Sequence, residues 1–356
     1  MSKNRIKWID FARSIAVIMV ILCHAVEAPF FYAGENIAEL SLAEQCFGFT
    51  AFTIGRLGVP VFLFISGYLL LQRSYDDAKC WLFWKKNLLQ LLVVTEVWIL
   101  LFNICSAVLG QQEFTIMTLV KNMLFMKEVK MPHAWYLPMI VSMYVTVPFV
   151  AMVLDRIELK TLYAVMILTI IYFFLLPSAN VVLKVFEKSL LSNRTFLYFS
   201  GGLYGIYLLI GYLFKRGVLD KFYNYKTGVA AVVFFLITVW FQYNTYQVGK
   251  GYKVWYDFVL LLPIAMFVFM ILKNVGVNVW GQCIWRRLAV DSFGIYLIHK
   301  PIQNVLLEYL PWDGCSIVSK ALLSFVVTFL LSWSFVYMVA KVSSVGRWLF
   351  LIKEPR

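Results

Sequence analysis

The sequence predicts an all-α polytopic membrane protein of about ten transmembrane helices, with its N- and C-termini in the cytoplasm. Three observations carry this. Of 356 residues, 62% are hydrophobic and 14% charged, whereas soluble domains run about half apolar and a quarter charged. Apolar stretches near the 20 residues or so that cross a bilayer recur along the whole chain. The Lys and Arg residues gather in alternate connectors, as the positive-inside rule requires. A single soluble globule is excluded. A nucleic-acid binder and a disordered chain are excluded too, because the net charge of +13 sits on a chain too apolar to be a solvated basic tail.

The ten stretches run roughly over 10–30, 47–71, 87–109, 135–154, 161–177, 197–214, 228–243, 255–272, 288–309 and 317–340. The longest connector, 110–134, leaves no room for a soluble catalytic domain. Residues 1–356 therefore read as a single transmembrane domain whose chemistry comes from helices and short loops. An even span count places both termini on one side. With that side cytoplasmic, 20 basic residues lie inside, from Lys3, Arg5 and Lys7 through Lys353 and Arg356. The outer loops hold 8: Lys121, Lys127, Lys130, Lys184, Lys188, Arg194, Lys250 and Lys253. The first outer loop is acidic (Glu35, Glu39, Glu44). The charge is thus a topology signal and calls for no anionic partner. A cleaved signal is not expected, because the first apolar run carries Asp10, Arg13 and His24. The 6 cysteines show no metal spacing.

An ionisable residue in a membrane helix costs roughly 2.5–3.5 kcal/mol on insertion scales, so it faces a cavity or a partner. Asp10, Arg13, His24, Arg56, Glu96, Asp257, Asp291, His299 and Lys300 all fall within the apolar stretches or at their ends. They imply a polar interior. Arg13 and His24 are 11 residues apart, about three turns, so both project from one helix face. Asp10, three residues before Arg13, is placed to pair with it. A neutral imidazole in low dielectric is what a general base requires.

Trp8-Ile9-Asp10-Phe11-Ala12-Arg13 followed by His24 resembles the opening of the acyltransferase-3 family, with its Arg-x10-His pattern. Gly58-Val59-Pro60-Val61-Phe62-Leu63-Phe64-Ile65-Ser66-Gly67-Tyr68-Leu69 is similar to the family's second-helix segment. His133-Ala134-Trp135-Tyr136-Leu137 and Asp291-Ser292-Phe293-Gly294-Ile295-Tyr296-Leu297-Ile298-His299 resemble two later segments, in the family's order. All 3 histidines of the chain fall inside these patches. At the start of the third span the chain has Trp84-Lys85-Lys86 where members often carry arginines.

The resemblance implies a membrane-bound O-acyltransferase of the bacterial cytoplasmic membrane. Its donor would be a cytoplasmic acyl-CoA, commonly acetyl-CoA, with acetyl and succinyl both open. Its acceptor would be a hydroxyl of a cell-surface or lipid-linked glycan. The expected site has His24 as general base, with Arg13 and Asp10 beside it in the catalytic set. Arg13, Lys85, Lys86, Arg286 and Arg287 are expected at the CoA phosphates, where guanidinium suits bidentate contact. The four basic residues other than Arg13 are also read as positive-inside anchors. Arg56 is open to two partners, Glu96 or the acceptor. Arg56, Glu96, His133, Trp135, Asp291 and His299 are expected at the acceptor end, with a structural charge pair an equal reading for Glu96 and bracing of the helix one for His299. No metal is expected. Two rival functions are a transporter or flippase of a glycan or lipid precursor, which interior charges fit equally well, and a non-catalytic escort of a glycan synthase.

Overall fold

A computed structural model describes residues 5–32, 36–131, 133–191, 202–312, 314–342 and 344–352. Lys3, Glu35, Arg194, Lys353 and Arg356, used in the topology argument, lie outside these residues. Every regular element described is helical. In chain order they are α1 (Lys7–Glu27), α2 (Leu42–Arg56), α3 (Gly58–Leu70), α4 (Asp77–Phe83), α5 (Leu89–Val108), α6 (Ile116–Met123), α7 (Tyr136–Leu154), α8 (Leu159–Ile170), α9 (Leu176–Val185), α10 (Gly202–Lys215), α11 (Tyr225–Gln247), α12 (Leu261–Val275), α13 (Gln282–Tyr309), α14 (Ile317–Val342) and α15 (Ser344–Leu349). The π-turns Trp84–Leu88 and Ile171–Leu175 join helical runs without breaking them, and the π-turn Ala28–Tyr32 extends α1.

Among the described residues, seven helical runs are long and apolar enough to cross a membrane. They are Lys7–Tyr32, Leu42–Leu70, Asp77–Val108, Tyr136–Leu154, Leu159–Val185, Tyr225–Gln247 and Ile317–Val342. The other three stretches read from the sequence differ for physical reasons. Gly202–Lys215 and Leu261–Val275 are apolar but short. Gln282–Tyr309 is long, but Arg286, Arg287, Asp291, His299 and Lys300 make it polar. The chain is an integral membrane protein.

The chain divides into two compact units. The first comprises residues 1–73, 153–289 and 316–322; the second comprises 74–152, 290–315 and 323–356.

In the first unit, glycines set the helix spacing. A Cβ on Gly55 would sit 2.5 Å from the Cys23 backbone, and one on Gly58 would sit 2.6 Å from the Ala16 carbonyl oxygen. α2 and α3 therefore lie directly against α1. α3 and α10 approach more closely still, because a Cβ on Gly67 would fall 1.9 Å from the Leu208 carbonyl oxygen and one on Gly211 2.2 Å from that of Phe64. Small residues allow such backbone approach where lipid gives no hydrophobic drive between helices. Phe64 then packs on Tyr207, Phe214 and Phe269, at ring separations of 5.7, 5.8 and 5.4 Å. Trp8 closes this layer, 5.0 Å from Tyr68 and 5.5 Å from Phe269.

In the second unit, Trp98 Nε1 donates to the Leu349 carbonyl at 3.1 Å and Trp84 Nε1 to the Val145 carbonyl at 3.2 Å. Its apolar interior also encloses polar groups. Asp291, His299, Gln303, Ser324, Thr328 and Ser332 are fully buried. Ser324, Thr328 and Ser332 recur every four residues, on one face of α14.

Candidate active site

α1 is unbroken from Lys7 to Glu27, so Arg13 and His24 stand about 16 Å apart along one helix axis. His24 is buried, and its Nδ1 lies 3.0 Å from Glu27 Oε2, one turn further along. A carboxylate only accepts, so Nδ1 carries the hydrogen and donates. In the neutral ring the lone pair is then on Nε2.

Past Glu27 the chain widens into the π-turn Ala28–Tyr32. The five-residue step brings Tyr32 back over Glu27, and its hydroxyl donates to Oε1 at 3.1 Å. The same oxygen accepts from Lys253 Nζ at 3.1 Å and from Arg56 Nη2 at 3.4 Å. Lys253 Nζ also donates to the Tyr32 hydroxyl at 3.0 Å. One carboxylate therefore ties an imidazole, a guanidinium, an ammonium and a phenol together.

Arg56 is held on its other sides by aromatic rings. Its guanidinium carbon lies 4.3 Å from the ring centre of Trp255, 4.6 Å from Phe52 and 5.5 Å from Tyr256. Nη1 donates to the Tyr256 hydroxyl at 3.4 Å. Within the first unit Glu27 is the carboxylate that pairs with Arg56; in the second unit Glu96 Oε2 is buried with no hydrogen bond among the described residues.

Residues 252–256 are irregular, so something must hold Lys253, Trp255 and Tyr256 in place. Gln242 of α11 donates through Nε2 to Thr53 Oγ1 of α2 at 2.8 Å, and its Oε1 accepts from the Val254 amide at 3.1 Å. The Tyr207 hydroxyl donates to the Tyr256 carbonyl at 2.7 Å. A buried side-chain amide thus pins the segment against the last turns of α2, where Arg56 sits. Burial pushes the neighbouring Tyr252 phenol above its ordinary value, which keeps it neutral.

The opposite end of α1 carries the remaining first-helix residues. Asp10 is buried and accepts from Arg5 Nε at 2.6 Å. Arg13 is half-buried. The first turn of α13 lies alongside: Trp285 stacks edge-on against Phe11 at 4.9 Å, and its carbonyl accepts from Ser14 Oγ at 2.8 Å. Arg286 and Arg287, next in the chain, are exposed and half-buried respectively. Three arginines therefore share this end of the first unit. Lys85 and Lys86 belong to the second unit, exposed on the π-turn Trp84–Leu88.

The two later patches of the sequence come together within the second unit. His133 packs edge-on against Phe102, Tyr296 and His299, at 5.1, 5.4 and 5.0 Å. His133 Nε2 is 3.3 Å from the Leu297 carbonyl, and the Tyr296 hydroxyl donates to the His133 carbonyl. His299 Nδ1 meets the Tyr296 carbonyl at 2.6 Å. Asp291 Oδ2 accepts from Trp333 Nε1 at 3.3 Å. These groups are enclosed, and their ring faces are taken by one another. Trp135 is half-exposed beside Tyr136.

Reading the sequence alone missed Glu27, Tyr32, Lys253, Trp255 and Tyr256. Glu27 was within reach: it follows His24 by three residues, the same spacing that drew attention to Asp10 and Arg13. Lys253 is one of eight basic residues assigned to the outer loops, and nothing in its spacing sets it apart. Among the described residues, no group of three or more His, Cys, Asp or Glu could hold a metal.

The family model of an acyltransferase domain matches residues 6–337, nearly the whole chain. No curated protein and no solved structure matches it.

Proposed function

The chain belongs to the acyltransferase-3 family, and from that premise we propose that it moves an acyl group, acetyl in the first instance, from acyl-CoA to a hydroxyl of a cell-envelope glycan or its lipid-linked precursor. The membrane concerned is the bacterial cytoplasmic membrane, with the end of α1 that carries His24 facing outward. The single observation that carries the reading is the His24–Glu27 pair. Acyl transfer to an alcohol needs a base whose accepting nitrogen is defined, and Glu27 defines it.

In this mechanism the acceptor O–H gives its proton to His24 Nε2 as the oxygen attacks the thioester carbonyl. A C–O bond forms and a tetrahedral oxyanion results. Glu27 holds the ring's orientation and stabilises the imidazolium. Collapse breaks the C–S bond, and the departing CoA thiolate takes the proton back from His24. The products are the ester and CoA-SH, and no proton is gained or lost. At the cytoplasmic end, Arg13 with Arg286 and Arg287 offers guanidinium groups to the CoA phosphates. Lys85 and Lys86 fit interfacial anchoring, as their exposure permits.

The test uses the full chain purified into nanodiscs, radiolabelled acetyl-CoA and an envelope glycolipid extract as acceptor. Label should move to the extract with the wild-type chain and not with His24→Ala. A transporter would leave the extract unlabelled, and so would an escort; either result rejects the proposal.

A further inference from the structure

We propose that Arg56 and Lys253 bind an anionic group, a carboxylate or phosphate, that the acceptor carries beside the hydroxyl to be acylated. The inference rests on the acyltransferase reading for the word acceptor, but its geometry stands apart.

The charge count comes first. Arg56 and Lys253 both lie on Glu27, at 3.4 and 3.1 Å, and use the same oxygen. Glu27 also binds His24 through its second oxygen. The other groups facing Arg56 are Cys23 and the phenol of Tyr256, both uncharged in their ordinary state. Asp257 makes no ion pair with Arg56 or Lys253 among the described residues. With His24 neutral, two full positive charges therefore meet one negative charge. A buried cation is costly unless it is paired, so the cluster favours one further anion.

The hydrogen-bond count agrees. Arg56 is 3% exposed, yet its Nε has no hydrogen-bond partner among the described residues. A buried donor left without an acceptor is a desolvation cost that an incoming ligand oxygen would remove. The cluster also reaches the surface. The Lys253 side chain is 27% exposed, and Tyr32, whose ring centre lies 4.2 Å from Lys253 Nζ, is 59% exposed. An open phenol beside an ammonium and a guanidinium suits a sugar ring that bears an acid group. His24 lies on the far side of the shared carboxylate, so such a sugar would present a hydroxyl towards the base.

Equilibrium binding to the purified full chain in nanodiscs tests this, with glucuronic acid, glucose 6-phosphate and glucose as probes. At least one anionic probe should bind about 10-fold or more tightly than glucose, the size of one charge-assisted contact. Lys253→Met should reduce that preference about 10-fold, and Lys253→Arg should restore most of it. Preference for glucuronic acid alone identifies an acidic sugar; preference for the phosphate alone identifies a phosphorylated acceptor or carrier. Equal binding of all three probes overturns the inference, and so does a preference that Lys253→Met leaves intact. Acetyl transfer is scored on the same preparation. Acetyl transfer by the unsubstituted chain without any preference for an anionic probe rejects this inference alone. Preference without transfer rejects the acyltransferase reading and the acceptor role with it.

Discussion

Glu27 Oε2 lies 3.0 Å from His24 Nδ1, with both side chains buried one turn apart on α1. The same carboxylate accepts from Tyr32, Arg56 and Lys253 through its other oxygen. His24 is therefore oriented by a group that is itself oriented by three others. A lone membrane histidine is free to change rotamer; this one is fixed by its partner.

His24→Ala should lower acetyl transfer by about 10²–10⁴-fold, the usual worth of a positioned base. Alanine keeps the helix backbone and adds no bulk at the crossing, so the variant should still insert and purify. Turnover measured under saturating acetyl-CoA checks this. A wild-type rate in the purified variant would remove His24 from the chemistry.

Glu27→Gln should act on kcat and leave the KM for acetyl-CoA unchanged. Glu27 lies about 21 Å along α1 from Arg13, at whose end we propose that CoA binds. The amide loses the charge that stabilises imidazolium and no longer enforces Nδ1–H. The fall should lie between about 10-fold and the roughly 10⁴-fold seen when a triad carboxylate becomes an amide. A rise in the acetyl-CoA KM with kcat intact would show that Glu27 serves binding instead.

How far the sequence disclosed this site depends on the range of each interaction. Asp10, Arg13 and His24 were legible because a helix fixes neighbours three, four and eleven residues apart. Arg56 stood out because a cation in an apolar run demands a partner. Its actual partner was not legible. Glu27 and Arg56 meet only because Gly55 lets α2 touch the Cys23 turn of α1, which is a packing fact rather than a periodicity. Lys253 was further out of reach, since it depends on Gln242 joining Thr53 to the Val254 amide across 189 and 12 residues. Seven of the ten stretches are helices long and apolar enough to span by length and composition; α13 falls outside that set because its polar residues lower its hydropathy.

Gly67→Ala should destabilise the fold severely, because the new methyl would lie 1.9 Å from the Leu208 carbonyl oxygen on an adjoining helix backbone. Neither backbone can yield without parting α3 from α10. Gly205→Ala on the same α10 is the control. A Cβ there meets nothing within 4 Å, and Ala favours a helix over Gly by about 1 kcal/mol. Thermal unfolding in detergent should therefore drop for Gly67→Ala and hold or rise for Gly205→Ala. Equal midpoints for the two variants would contradict the close crossing.

Glu27→Gln and Arg56→Met should be strongly non-additive. The two changes differ in what they leave: the first leaves buried Arg56 without its anion, and the second leaves Glu27 with His24, Lys253 and Tyr32 as partners. Breaking one half of a buried pair typically costs about 3–5 kcal/mol, whereas replacing both halves costs much less. Here the second loss should be smaller than the first, because Lys253 still neutralises Glu27 when Arg56 is gone. The double variant should thus unfold close to Arg56→Met and well above the sum of the single losses, with a coupling of roughly 0.5–3 kcal/mol. Equilibrium unfolding of the four proteins gives that number directly. A coupling near zero would mean that the 3.4 Å contact contributes nothing and that Arg56 is held by Trp255, Phe52 and Tyr256 alone.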